Sequence, residues 1–98
     1  MEVLYARGSG LDVHRNMVVA GVSIVEAGQR RKAIRTFRTV TKDLLVMRQW
    51  LLEEGCSHVG MESTGVLWCP VYDRLAGSFE LVLVNACTGY VRRVTRNE

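Results

Sequence analysis

Apolar residues recur along this chain with two different periods, and the switches between them mark its elements. Residues 8–14 and 17–25 read as two strands joined by a tight turn at His14-Arg15-Asn16. The second run, MVVAGVSIV, is a nearly continuous β-branched stretch, the pattern of a strand covered on both faces. Glu26-Ala27-Gly28-Gln29 places a glycine where a hairpin turn wants one. Residues 31–40 read as a third strand, heavily basic, and basic side chains commonly protect a sheet edge from unwanted pairing.

Residues 41–54 then switch to a helical period, with Leu44, Met47 and Leu51 on one face. Thr41 stands where an N-cap belongs, and Asp43 lies in the first turn, where the helix dipole favours an anion. Gly55 follows as the stop. Residues 57–61 form a short buried strand, a second helix lies within 66–76 with Pro70 in its first turn, and 79–84 (FELVLV) form a fifth strand. After Asn85 the pattern dissolves.

The order is β-β-β-α-β-α-β, an antiparallel meander followed by strands alternating with helices. Strands linked through helices are expected to be parallel neighbours with right-handed crossovers. The expected fold is α/β: a mixed five-stranded sheet with flanking helices, in the element order of the ribonuclease-H-like core. Residues 1–85 are read as this domain, and 86–98 as a basic, poorly ordered tail leading to further sequence.

Composition adds exclusions. The chain is 48% hydrophobic and 23% charged, as in ordinary globular proteins. No apolar run reaches the ~18 to 20 residues of a membrane span, so no membrane partner is expected. MEVLYARGSG lacks the features of a secretory signal. Cys56, Cys69 and Cys87 are odd in number and widely spaced, neither a disulfide framework nor a zinc pattern, which points to a reducing cytoplasm. The net charge is +3, with six basic residues and no acidic one from Arg30 to Lys42, and Arg92, Arg93 and Arg96 near the end. Such stretches suit a polyanion, but on charge alone they read sooner as a solvated strand edge and a frayed tail.

The residues that bear on chemistry are two carboxylates. Asp12, in GLDVH, sits near the C-terminal end of the first strand, and Glu62, in GMESTG, at the C-terminal end of the fourth. If those strands are neighbours, both acids project at the edge where open α/β sheets bind ligands. Two carboxylates converging there suit Mg²⁺ or Mn²⁺, and such ions stabilise the attacking and leaving oxygens of displacement at phosphorus. Taken singly, Asp12 is equally a turn residue and Glu62 an exposed acid. Ser63, Thr64 and Gly65 lead into a helix and suit phosphate, or simply cap that helix. His14 shares a face with Asp12 at i+2 spacing but reads as structural. Trp50, Trp68 and Tyr72 read as packing rather than base-stacking platforms.

Three strings, LYARGSGLDVHRNMVVAGV, MESTGVLWCPVYDRL and FELVLVNA, together resemble the N-terminal domain of DEDD-type transposases of bacterial insertion sequences, the insertion sequence 110 family. The match runs from about Leu4 to Asn85 with all elements in order. The resemblance implies a Holliday-junction-resolvase-like fold and four acidic metal ligands, with Asp12 the first and Glu62 the second. It implies that the remaining two form an Asp-x-x-Asp pair after a basic segment. ACTGYVRRVTRNE stands in that segment's place, and no Asp-x-x-Asp follows. The expectation is therefore an N-terminal fragment of a transposase acting by metal-dependent strand cleavage and transfer. Alone it should bind metal weakly and be inactive, with half of the acidic set missing. DNA, a structured guide RNA and, in the intact parent, further copies of the chain are the implied partners. Two other classes stay open: a non-catalytic nucleic-acid-binding or assembly module, and an actin-like phosphotransferase lobe.

Overall fold

A computed structural model describes residues 7–85 and 91–93, with side chains through Val84. The elements are β1 (Arg7–Val13), β2 (Met17–Glu26), β3 (Gln29–Arg38), α1 (Thr41–Glu53), β4 (His58–Ser63), α2 (Trp68–Leu75), β5 (Glu80–Asn85) and β6 (Val91–Arg93). The strands form one mixed sheet in the order β3-β2-β1-β4-β5-β6. β2 is antiparallel to both β1 and β3, β4 is parallel to β1 and to β5, and β6 runs antiparallel to β5.

The architecture is the expected α/β mixed sheet, with three differences. A sixth strand, β6, pairs Val91 with Val84 and Arg93 with Val82, within the stretch expected to be an irregular tail. Three residues, two of them arginine, carry no alternating signal in sequence, but the outer edge of β5 offers them backbone partners. Secondly, β3 and β4 are not neighbours, although α1 links them; β2 and β1 lie between. Thirdly, the β-branched run of β2 is covered fully on one face and only partly on the other: Val18, Ala20, Val22 and Ile24 are buried on the helix side, whereas opposite them Ser23 is buried but Val19, Gly21 and Val25 are half-exposed.

The crossovers β3-α1-β4 and β4-α2-β5 step in the same direction across the sheet. Right-handed connections then put both helices on one face. The burial pattern agrees. Leu11 and Val13 of β1, Val59 and Met61 of β4, Leu81 of β5 and Phe37 of β3 are buried with Leu44, Met47 and Leu51 of α1 and Val71 and Leu75 of α2. No described element covers the other face of the sheet.

Local chemistry explains the turns and helix ends. Ala27 and Gly28 both have positive φ, 51° and 78°, so β2 and β3 join through a type I′ turn, whose twist matches that of the strands. Gly55, at φ 84°, ends α1 in a Schellman motif: its N–H donates to the Leu52 carbonyl and that of Cys56 to the Leu51 carbonyl. The N-terminus departs from expectation. Val40 is the N-cap residue and no side chain caps the helix; Thr41 is already helical and its hydroxyl accepts from Arg74 instead. Asp43 does lie in the first turn, where it accepts from both the backbone N–H and Nε of Arg38 at 3.3 and 3.2 Å.

Aromatic residues pack as expected. Trp50 and Trp68 lie partly buried against the core, Phe37 and Trp50 meet at 5.8 Å between centroids, and Trp68 meets Tyr72 edge-on at 5.8 Å. Cys56 is buried and Cys69 half-buried; Cys87 lies outside the described residues. No helix among the described residues is long and apolar enough to cross a membrane.

Two outcomes follow. Leu51 is fully buried under the sheet, so Leu51→Ala should cost about 2 to 5 kcal/mol in urea unfolding; a smaller loss would show that α1 is not part of the cooperative core. Burial pushes the Cys56 thiol up to about 11, helped by the Glu54 carboxylate and opposed by Arg31. Near neutral pH, Cys56 should therefore react with iodoacetamide more slowly than the half-buried Cys69, as peptide mapping of the alkylated protein would reveal.

A carboxylate pair at the sheet edge

The two acids singled out from sequence are brought together by pairing of the strands that carry them. In β1, Leu11 and Val13 point into the core, so Asp12 between them faces the other side of the sheet. Met61 and Ser63 do the same in β4, which sends Glu62 to that side as well. The parallel register sets Asp12 directly opposite Glu62. Neighbouring strands lie about 4.8 Å apart, so the two carboxylates leave adjacent backbones on one face, at the C-terminal end of both strands.

Asp12 is half-exposed and its Oδ2 meets His14 Nε2 at 3.1 Å. His14, set aside as structural in the sequence reading, is thus the direct partner of the first candidate ligand; the i+2 spacing was its signal. Ser63 is not at this site. It is buried on the helix side, and its hydroxyl donates to the Thr64 carbonyl at 3.2 Å. Nor do Ser63 and Thr64 cap α2, whose N-cap residue is Leu67, without a side-chain bond.

The cations expected to meet a polyanion are distributed unevenly. Arg31 pairs with Glu54, Arg38 with Asp43, and Arg35 lies over the rings of Phe37 and Trp50 at 4.9 and 5.3 Å. Arg92 and Arg93 stand in β6, opposite Leu83 and Val82 in register and two strands from Glu62. Arg96 lies outside the described residues.

The structure also shows a feature that sequence reading missed. Gly21, Gly10 and Gly60 are register partners across β2, β1 and β4, a row of glycines over three adjacent strands. Beside it, Gly10, Asp12, Val19, Gly21 and Ile34 line a surface depression of about 190 Å³. The glycines are scattered in sequence, and only the register aligns them.

Two carboxylates on one face are a donor set that suits a hard divalent cation. Mg²⁺ is commonly held by one or two carboxylates, with water and phosphate oxygens completing its shell. No group of three or more His, Cys, Asp or Glu gathers to hold a metal ion among the described residues. The fit is that of a two-carboxylate edge, not of a closed protein cage.

No protein-family model matches the chain, and no curated protein matches it in sequence. The fold is similar to that in a structural study of the Aquifex aeolicus PPX-GPPA enzyme, at 13% sequence identity and a TM-score of 0.51. The alignment covers 79% of this chain and 36% of that one, so the chain spans about a third of the enzyme's length.

If Asp12 and Glu62 serve a ligand rather than the fold, removing them should leave stability nearly intact. Asp12→Ala and Glu62→Ala should each shift unfolding by no more than about 1 kcal/mol, measured by urea titration. A loss of several kcal/mol would make them structural residues.

Proposed function

We propose that this chain is the N-terminal part of a ribonuclease-H-like domain of a DEDD-type transposase, in which Asp12 and Glu62 are two of the acidic ligands for Mg²⁺ or Mn²⁺. The observation that carries the reading is the direct register of Asp12 with Glu62 at the carboxyl edge of two parallel central strands. The element order and the strings around both acids support it. A divalent cation held there supplies charge stabilisation for the attacking and leaving oxygens when a DNA phosphodiester is cut or joined.

The chain's own residues contribute placement. Adjacent backbones fix the spacing of the carboxylates, and the core beneath, Leu11, Val13, Met61 and Val59, keeps both on the same side. His14 holds Asp12 through Nε2 and so restricts the rotation of that carboxylate. In this reading two further acids complete the set, and the Asp-x-x-Asp implied by the resemblance would supply them. The likeness to the PPX-GPPA enzyme favours a second reading, an actin-like phosphotransferase lobe, which places the same carboxylates against a nucleotide phosphate.

Calorimetric titration with Mn²⁺ should show weak binding, with a dissociation constant on the order of a millimolar, lost in the Asp12→Ala, Glu62→Ala double variant. Fusing the downstream coding sequence, where it contains Asp-x-x-Asp, should create Mn²⁺-dependent nicking of plasmid DNA that Asp12→Ala abolishes. Mn²⁺ binding indifferent to both substitutions would sink the reading. Metal binding that tightens with ATP but yields no nicking would favour the phosphotransferase lobe.

A further inference from the structure

The face of the sheet opposite the helices carries its own charge pattern. Arg31 and Arg35 of β3 point to the helix side, as their contacts with Glu54 and Trp50 show. Alternation along the strand then places Arg30, Lys32, Ile34 and Thr36 on the other side, the side of Asp12 and Glu62. Arg30 and Lys32 are exposed and make no ion pair among the described residues. Ile34 beside them is 75% exposed.

The register gives the distances. Asp12 is opposite Val19, which is opposite Thr36, and Lys32 lies four residues further back along β3. With two strand spacings sideways, Lys32 starts about 17 Å from Asp12, and Arg30 a little over 20 Å. Between them lie Gly21, Gly10 and the depression they floor. Glycines inside strands mark places where another backbone can approach closely. So one end of this path carries cations with no acidic partner among the described residues, its middle, where Gly10 is buried and Gly21 half-buried, is low and partly apolar, and its other end carries the carboxylate pair.

We propose that a single nucleic-acid strand lies diagonally across this face, its phosphates gripped by Arg30 and Lys32 and its backbone crossing the Gly21–Gly10 floor towards Asp12 and Glu62. The inference rests on the phosphodiester reading above and adds the path of the substrate. It also divides the basic residues of β3 into two jobs. Arg31, Arg35 and Arg38 tie the strand to α1; Arg30 and Lys32 meet phosphate.

The test is anisotropy of a fluorescein-labelled thymidine oligomer with the whole chain, titrated between about 50 and 200 mM salt. For single strands each phosphate contact contributes about 0.7 to the slope of log K against log salt, so R30A/K32A should flatten it by about 1.4. R48A/R74A, which removes the same charge from the two helices, should leave the slope as it is. At Gly21 a Cβ meets nothing beyond its chain neighbours closer than the Gly10 carbonyl oxygen at 3.9 Å, so the fold should tolerate Gly21→Val. It raises the floor, and binding should weaken severalfold at unchanged slope. If the wild-type chain does not bind the oligomer, the phosphodiester reading fails and the path with it. If it binds with a slope that R30A/K32A leaves unchanged, or Gly21→Val binds as wild type does, the path alone is overturned.

Discussion

Everything that gives this chain a candidate site depends on the parallel pairing of β1 with β4. The two strands bury Leu11, Val13, Val59 and Met61 on the helix side, and strict alternation sends Asp12 and Glu62 to the opposite side. A slip of one residue along either strand would exchange the faces, driving a carboxylate into the apolar layer beneath the helices. Burying an unpaired charge costs far more than any alternative contact there returns. The apolar contacts of the core therefore set the register, and the register holds the acids opposite each other. The acids need contribute nothing to folding to be positioned accurately.

The same alternation makes the two faces of the sheet chemically different. Beneath the helices lie Leu, Val, Ile and Met, closely packed, with Arg35 extended over aromatic rings at the β3 margin. On the other side lie glycines, the two acids, and the cations of β3 that have no acidic partner among the described residues. Two same-direction crossovers suffice to produce this asymmetry, because right-handed connections cannot place α1 and α2 on opposite faces. Arg30, Arg31, Lys32 and Arg35 look uniform in sequence but are split between the faces by a period of two, while Arg38, at the end of β3, turns to Asp43 of α1.

That split shows what could be read in the chain and what could not. α1 was legible because Leu44, Met47 and Leu51 share a face and Gly55 has no side chain to resist positive φ. The Ala27-Gly28 turn was legible for the same local reason. Asp12 and Glu62 were found because each stands at the end of a strand, although their direct register needed the folded sheet. The helix cap was misread: Thr41 suits an N-cap chemically, but the Arg38–Asp43 contact and the bond from Thr39 Oγ1 to the Arg15 carbonyl tie down the chain just before it. β6 was missed because a short edge strand takes its identity from the neighbour it pairs with, and Val91-Arg92-Arg93 has no internal period. The glycine row was invisible for the same kind of reason: no local pattern links Gly10, Gly21 and Gly60.

The position of the glycines bears on which chemistry the acids serve. A lobe that binds nucleotide phosphates needs glycines in the turns that follow its strands, where free backbone N–H groups converge on phosphate oxygens. Here the turn after β1 is His14-Arg15-Asn16, without glycine, and the segment after β4 carries one such glycine, Gly65, at φ 58°. Gly10, Gly21 and Gly60 lie inside strands, where they open no N–H groups to a ligand because the sheet ladder uses them. What they provide is height: a lowered floor beside the carboxylates, on the face that carries Arg30 and Lys32. A compact phosphate group gains little from such a surface. A polymer that must pass close to the sheet before reaching the acids gains a path, and that difference favours the phosphodiester reading over the phosphotransferase lobe.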